Sequence, residues 1–113
     1  MDCLFCKIAS KEIPTKFVYE DKQIVAFNDI APQAPHHILI IPRVHIATIN
    51  DLITENNTLI GDMMLVAKKI AMSLNVADDG YRVIMNCNKN GGQAVYHIHF
   101  HLLAGRQMGW PPG

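Results

Sequence analysis

Apolar residues recur at helical spacing in one long stretch of the chain, from about Asn57 to Leu74. The apolar positions of this stretch fall on one face of a helical wheel at Leu59, Met63, Val66, Ile70 and Leu74. Charged residues such as Lys68 and Lys69 fall elsewhere on the wheel. The pattern predicts one dominant amphipathic helix.

Short apolar runs bounded by turn residues predict strands in the remaining sequence. They are Phe17–Glu20, Ile24–Asn28, His37–Ile41, Tyr81–Asn86 and Tyr96–Ala104. The first two flank a polar turn and predict a hairpin, and Pro42 closes the third run. The chain therefore predicts an α+β fold with an antiparallel sheet and one main helix, in a single domain covering residues 1–113.

Composition narrows the class of partner. Ten basic residues balance ten acidic ones among 113 residues, so no basic field favours nucleic-acid binding. No apolar window reaches the length of a membrane span, and the N-terminal segment lacks a signal-peptide pattern. Three cysteines, two of them in C-x-x-C spacing, do not predict a disulfide framework. We expect a soluble cytoplasmic protein with a small-molecule ligand, without nucleic-acid or membrane partners.

Half of the six histidines fall within five positions, at His97, His99 and His101. Alternate side chains of an extended segment lie on one face, so the imidazoles share a face and the intervening apolar residues share the other. A single histidine is more often a satisfied core residue, but three on one face favour chemistry or metal binding. A neutral imidazole could attack phosphorus at His99 while His101 protonates the leaving group, without Mg²⁺.

The residues before this row form a turn rich in glycine and asparagine, from Asn86 to Gln93. Paired glycines at Gly91 and Gly92 allow backbone N–H groups to converge on an anion, although an ordinary turn has the same composition. The adjacent histidines favour phosphate as the ligand.

The run from His97 to Leu103 resembles the signature of the histidine triad (HIT) superfamily. Further segments resemble its Hint branch: Lys11–Pro14, Asp29–Pro35, Ile41–Pro42, Gly91–Gln93 and the ending Gly105–Gly113. The resemblance covers essentially the whole chain. It implies a HIT-like fold with a five-stranded antiparallel sheet, one long helix and a short N-terminal helix, with the sheets of two copies joined in a homodimer.

The resemblance also implies an activity, hydrolysis of the P–N bond of AMP or GMP phosphoramidates through a nucleotidylated histidine. It assigns catalytic roles to His99 as nucleophile, His101 at the leaving group, and His37 and His97 in support. It assigns nucleotide contacts to Phe5, Ile8, Phe27, Ile30 and Leu39 for the purine, Asp29 and Asn86 for the ribose, and Gly92, Gln93, Ala94, His99 and His101 for the phosphate.

Two features depart from the Hint pattern. Ala94 occupies a position where that pattern often has a hydroxyl residue able to approach the leaving group. Cys3 and Cys6 suggest a zinc or redox pair, and His45 and His97 complete a four-ligand structural zinc site that resembles one in some HIT members. We expect Cys3, Cys6, His45 and His97 to bind zinc.

Three functional hypotheses follow. The first is the phosphoramidase, or a related HIT hydrolase of acyl-adenylates or dinucleoside polyphosphates. The second is a nucleotide-binding regulatory module with incidental hydrolysis. The third is a metalloenzyme in which the histidine row binds catalytic zinc.

Overall fold

The computed structural model describes residues 2–113; the predicted domain begins at Met1, which lies outside them. Its helices and strands are, in chain order, α1 (Leu4–Ala9), β1 (Phe17–Glu20), β2 (Ile24–Asn28), β3 (His36–Pro42), α2 (Asn57–Ser73), β4 (Tyr81–Ile84) and β5 (Phe100–Ala104). The five strands form one sheet in the order β1-β2-β3-β5-β4, and every neighbouring pair is antiparallel. The predicted α+β fold is confirmed.

Local side chains explain where these elements begin and end. The Asp21 carboxylate accepts the backbone N–H groups of Gln23 and Ile24, each at 2.8 Å, and so closes the predicted β1–β2 hairpin. Helix α2 ends before Asn75, whose φ of 59° is the left-handed conformation that commonly stops a helix. Among residues 2–113, no helix is both long and apolar enough to cross a membrane.

The sheet is covered on both faces, which explains why β2 and β3 are almost continuously buried. Helix α2 packs on one face through Met63, Val66 and Ile70, while the neighbouring Met64 is exposed and does not fill the core. Helix α1 packs on the opposite face, against an apolar cluster that includes Val25 and Ile41. The α1 face is the one that carries the histidines.

The last strand is shorter than the sequence predicts. The ladder pairs Ile40 with Phe100, so continuing it would place Pro42 opposite Ile98. Proline has no N–H to donate to a ladder, and the next amide, that of Arg43, already donates to the Gln23 carbonyl. The segment before Phe100 therefore leaves the sheet, and Ile98 donates to the Ile46 carbonyl at 2.7 Å instead. Strand β4 likewise ends at Ile84 rather than Asn86.

Candidate active site

Strand register places the catalytic candidates in rows across the α1 face of the sheet. Phe27 pairs with Leu39, and Leu39 pairs with His101 on the next strand. His37 lies two residues before Leu39 and therefore on the same face, as the sequence parity predicts. His37 and His101 reach each other, with Nε2 of His37 2.8 Å from Nδ1 of His101.

His99 is held in one tautomer by the peptide of its neighbour. Its Nδ1 lies 2.8 Å from the backbone carbonyl oxygen of His97. Because a carbonyl can only accept, Nδ1 carries the proton and Nε2 keeps its lone pair. The ring is buried, and its centroid lies 4.9 Å from that of His101. His99 therefore presents an unprotonated nitrogen next to a second imidazole.

A backbone amide sets the tautomers of the other two rings in sequence. The Gln33 N–H donates to Nδ1 of His37 at 3.0 Å, so His37 carries its proton on Nε2. That proton is donated to Nδ1 of His101, which leaves the His101 proton on Nε2. Asp29 lies beside this chain, with one carboxylate oxygen 3.5 Å from Nε2 of His37. The side chains of Asp29, His37 and His101 are also close enough to hold a cation, with candidate atoms within 4.8 Å of one another.

Burial keeps these imidazoles neutral. It lowers the pKa of His99 below the ordinary value of 6.5, although the hydrogen bond to the His97 carbonyl acts in the opposite direction. Burial, followed by the neighbouring His99 and His37, lowers the pKa of His101 to about 4. Near pH 7 both rings are uncharged in the free protein, as a nucleophile and a hydrogen-bond donor require.

An apolar wall stands beside His99. The Phe5 ring meets the His99 ring edge to face with centroids 5.1 Å apart, and it contacts Phe27 in the same way at 5.7 Å. Ile8 and Leu39 belong to the same buried cluster. Ile30, the fifth residue of the predicted purine pocket, is fully exposed and does not belong to this buried cluster.

The glycine loop, residues 86–93, is ordered by its own hydrogen bonds. The Gln93 side-chain amide donates to the Ala47 and Val95 carbonyls at 2.7 and 3.1 Å and accepts from the Asn88 N–H at 2.9 Å. The Asn86 side chain donates to the Gly91 carbonyl at 2.6 Å. These bonds stabilise a turn in which Gly92 has a φ of +77°.

Hydrogen bonding within the loop occupies two of the backbone N–H groups that the predicted anion nest would use. The Gly92 and Gln93 N–H groups donate to the Lys89 and Asn88 carbonyls, at 3.0 and 3.1 Å. Among residues 2–113, no acceptor is found for the next amide, that of Ala94. The Ala94 amide, one residue beyond the glycine pair and its glutamine, is therefore available to an anion.

The Cys/His cluster, consisting of Cys3, Cys6, His45 and His97, has the geometry of a metal site. Nδ1 of His97 lies 3.3 Å from Sγ of Cys3 and 3.5 Å from Sγ of Cys6, and Nδ1 of His45 lies 3.4 Å from the Cys6 sulfur. Tetrahedral zinc with ordinary bond lengths separates nitrogen and sulfur ligands by about 3.6 Å. The three observed nitrogen–sulfur separations lie within about 0.3 Å of that value, so this donor set is compatible with a tetrahedral zinc ion.

Hydrogen bonding in the same cluster leaves a ring nitrogen of His97 free to bind a cation. Nε2 of His97 donates to the Pro42 carbonyl at 2.7 Å, which leaves the Nδ1 lone pair directed at the two sulfurs. Burial lowers the pKa of His97. Burial, then the adjacent Cys3 thiol, raises the pKa of Cys6, so metal binding would release the proton of the Cys6 thiol.

Comparisons with known proteins place this arrangement in a family. A sequence profile of the HIT domain matches residues 10–108. The chain belongs to the HIT domain family. This chain is 54% identical over 108 residues to the protein of Escherichia coli (strain K12) named purine nucleoside phosphoramidase, an alignment that covers 96% of this chain and 91% of that relative.

Solved structures agree with this family. A crystal structure of a HIT family hydrolase from Legionella pneumophila Philadelphia 1 superposes with a TM-score of 0.97 at 57% identity, covering 99% of this chain and 100% of the other. A histidine triad protein from Clostridium difficile superposes with a TM-score of 0.94 at 44% identity, covering 96% and 95% of the two chains.

Two residues of this HIT domain that order the site escaped the sequence reasoning. Gln33 fixes the tautomer of His37 through its amide, and Pro42 fixes that of His97 through its carbonyl. Both act through backbone atoms, which carry no side-chain signature. Each does fall within a segment that resembles the Hint branch, and that is the one signal that could have drawn attention to them.

Proposed function

We propose that this HIT domain hydrolyses the P–N bond of purine nucleoside phosphoramidates through a covalent nucleotidyl-His99 intermediate. One observation carries the proposal. Nδ1 of His99 donates to the His97 carbonyl oxygen 2.8 Å away, so that Nε2 is an unprotonated nucleophile at neutral pH. The Escherichia coli relative bears the name of this activity.

The first half-reaction transfers the nucleotide to the protein. An anionic phosphate beside His101 favours its imidazolium form, and the Asp29 carboxylate acts in the same direction. Nε2 of His99 forms a bond to phosphorus as the P–N bond breaks. His101 passes its Nε2 proton to the departing amine and keeps the Nδ1 proton. While Nδ1 of His101 is protonated, the Nε2–H of His37 turns to the Asp29 carboxylate oxygen 3.5 Å away.

The second half-reaction returns the protein to its starting state. Nε2 of His101, now unprotonated, takes a proton from water as the water oxygen attacks phosphorus. The bond between phosphorus and Nε2 of His99 breaks, and the nucleoside monophosphate leaves. His101 then loses the extra proton to solvent and again accepts from His37.

Nucleotide binding uses groups at the edges of this centre. The Ala94 N–H donates to the phosphate, next to Gly92, while Gln93 positions the loop through its three side-chain hydrogen bonds. The purine packs on the apolar wall of Phe5, Ile8, Phe27 and Leu39, and the exposed Ile30 covers it from solvent. Asp29 and Asn86 contact the ribose. Imidazoles and backbone donors stabilise the phosphoryl charge, so Mg²⁺ is not required.

Zinc is the metal that we assign to the Cys/His cluster. Two thiolates and two imidazoles are a common structural donor set, and all four ligands come from the protein, which leaves no open position for catalysis. Bound zinc would stabilise the fold by joining the start of α1 to the segment that carries His97. The cytoplasm suits this site because it keeps cysteines reduced.

The partner protein that we assign is a second copy of the chain, joined at the outer edge of β4. This strand is an edge of the sheet, and its side chains are half-buried or exposed. Two copies pairing there would extend the sheet across a two-fold axis.

The test is hydrolysis of adenosine 5'-phosphoramidate by the wild type and by His99→Ala, with mass spectrometry of the quenched protein. We expect turnover and an adduct of one nucleotidyl group in the wild type, and loss of both in the variant, with a fall in rate of at least about 10³-fold. His36→Ala serves as the matched histidine substitution outside the row. A wild type that binds AMP without turnover would favour the regulatory module instead.

A further inference from the structure

We infer that His97 is a positioning residue that couples the Cys/His cluster to the nucleophile: a metal ion in the cluster fixes the peptide carbonyl that orients His99. This inference rests on the proposed function for its kinetic consequence. Its structural consequence, the ordering of the His99 ring, can be measured without any substrate.

Both ring nitrogens of His97 and its backbone carbonyl have partners. Its Nδ1 lies 3.3 and 3.5 Å from the two cluster sulfurs, and its Nε2 lies 2.7 Å from the Pro42 carbonyl oxygen. Its own carbonyl oxygen lies 2.8 Å from Nδ1 of His99. One residue, with a side chain 0% exposed, thus contacts both the metal ligands and the nucleophile.

The position of the His97 peptide depends on these side-chain anchors because the sheet does not hold it. Strand β5 begins at Phe100, so His97 and His99 both precede the regular ladder. The nearest backbone bond is the one from the Ile98 N–H to the Ile46 carbonyl, at 2.7 Å. This backbone bond and the buried His97 ring hold the segment before Phe100. We therefore expect the segment to move when the partners of the His97 ring move.

A second contact path runs through helix α1. Phe5 lies between the two cluster cysteines in sequence, and its ring meets both His97 and His99 edge to face, with centroids 6.0 and 5.1 Å apart. The Cys3 sulfur also accepts the Cys6 N–H at 3.4 Å at the start of this helix. The ligation that fixes the cysteines therefore also fixes the aromatic ring that packs against the nucleophile.

A cation fixes His97 more firmly than thiols do. A thiol is a weak hydrogen-bond donor, whereas a metal–imidazole bond is short and directional. Zinc in the cluster would therefore hold the His97 ring, and through it the carbonyl. We expect metal removal to lower kcat by roughly tenfold, the size typical of losing a group that orients a ligand. KM should change by a smaller factor than kcat, because Phe27 and Leu39 of the purine wall lie on other strands, whereas Phe5 lies on α1 and moves with the cluster.

The experiment compares zinc-loaded protein with protein stripped by a chelator under reducing conditions. Long-range ¹H–¹⁵N spectra of the His99 ring report its tautomer. Single-turnover kinetics give the rate of His99 nucleotidylation without a contribution from product release. We expect one Nδ1–H tautomer in the loaded protein, and a mixture of tautomers with slower nucleotidylation in the stripped protein. Ring ¹⁵N shifts and rates that are the same in both forms would overturn the coupling.

Cysteine and histidine variants keep the test decisive if stripping unfolds the chain. Cys6→Ser should reproduce the stripped state, whereas His36→Ala removes an imidazole outside the cluster and should behave as the wild type. His45→Gln removes one ligand that has no contact with His99. It should give a smaller shift toward mixed His99 tautomers and a smaller loss of nucleotidylation rate than Cys6→Ser. Equal spectra for all three variants would overturn the inference.

The two proposals fail in different ways. If zinc-loaded wild type does not hydrolyse the phosphoramidate, the proposed function fails, while the His99 spectra still decide whether the cluster orients the ring. If hydrolysis is observed and the spectra do not respond to zinc, the activity stands and the coupling is wrong.

Discussion

At the scale of single residues, the site depends on keeping clustered imidazoles neutral. Burial lowers the pKa of His99 and brings that of His101 to about 4, against an ordinary value of 6.5. Protonation of His99 would remove the nucleophile, so activity should persist at pH values where an ordinary histidine is already charged. We expect the acid limb of kcat/KM, where His99 gains a proton, to have its midpoint below pH 6.5, and kcat/KM to decline toward higher pH because His101 must gain a proton to act as the acid. The measurement is a pH profile corrected for uncatalysed hydrolysis.

The same pKa values predict how the free energy of unfolding changes with pH. Between pH 6.5 and about 4, His101 binds a proton in the unfolded chain but not in the folded one. Stability therefore falls as the pH falls through this window and is insensitive to His101 above it. Denaturant titrations at several pH values check this, and His101→Gln should show a shallower decline. Equal pH dependence of the unfolding free energy in both proteins would contradict the lowered pKa of His101, and an acid midpoint of kcat/KM at 6.5 or above would contradict that of His99.

Ala94 is the residue at which leaving-group chemistry departs from the Hint pattern. Its N–H has no acceptor among residues 2–113, but its methyl group cannot contribute a hydrogen bond to an amine. We expect Ala94→Ser to raise turnover of substrates with amine leaving groups by about fivefold, for one hydrogen bond of about 1 kcal/mol. Steady-state kinetics on a phosphoramidate measure the effect. Unchanged kcat and kcat/KM would defeat the idea.

At the scale of elements, the glycine loop is a rigid part of the site. A Cβ added to Gly91 would collide with the Cys87 backbone, and a side chain cannot move backbone aside without cost. We expect Gly91→Ala to lower stability by roughly 1–3 kcal/mol and to raise KM, because the loop positions the Ala94 amide. Thermal unfolding and kinetics measure the two effects.

Gly61→Ala is the matched control for the loop substitution. Gly61 lies in the middle of α2, where an added Cβ meets nothing within 4 Å. Alanine has the higher helix propensity, so the variant should be more stable by up to about 1 kcal/mol, with unchanged KM. Equal effects of the two substitutions would show that the loop has no special requirement at Gly91.

The helices and strands also show which parts of the fold the sequence patterns could predict. Helical periodicity located α2 to within one residue, because a face that packs on a sheet must repeat at the helical period. Alternation placed Phe100 and Leu102 on the face opposite the histidines, and both belong to the core cluster beneath α2. The ladder ends because Pro42 on a different strand lacks a donor, and such pairing is not visible within the strand itself.

Prediction of the site was limited in the same way. The four residues of the Cys/His cluster were assembled from spacing and resemblance, and their ligand atoms do lie within 4.8 Å of one another. The roles of Gln33 and Pro42 depend on backbone atoms, which every residue has. Side-chain chemistry can be recognised in a sequence, whereas the backbone groups that orient it require the fold.

At the scale of the whole molecule, the two edges of the sheet differ in how open they are to pairing. The β1 edge has an irregular register between Phe17 and Tyr19, and its Glu20 carboxylate is paired with Lys11 at 3.3 Å and Arg43 at 3.0 Å. Irregular register and charge at an edge discourage strand addition. Strand β4 pairs regularly with β5 over its whole length.

The C-terminal residues lie against this second edge. Arg82 of β4 donates to the Gly109 carbonyl at 2.9 Å, and its guanidinium lies 5.9 Å from the centre of the Trp110 ring. Trp110 is 83% exposed, a large apolar surface for a terminal residue. A second copy bound at β4 would cover this surface, which supports β4 rather than β1 as the dimer edge.

Matched substitutions on the two edges test the dimer. Tyr81 of β4 and Val18 of β1 have similar exposures of 36% and 42%. We expect light scattering to give the wild type twice the 12.6 kDa mass of one chain. Tyr81→Glu should shift the protein toward monomer on dilution, because a two-fold axis brings the introduced charges together, while Val18→Glu should remain dimeric. A monomeric wild type would contradict the dimer, and dissociation caused by Val18→Glu alone would move the interface to β1.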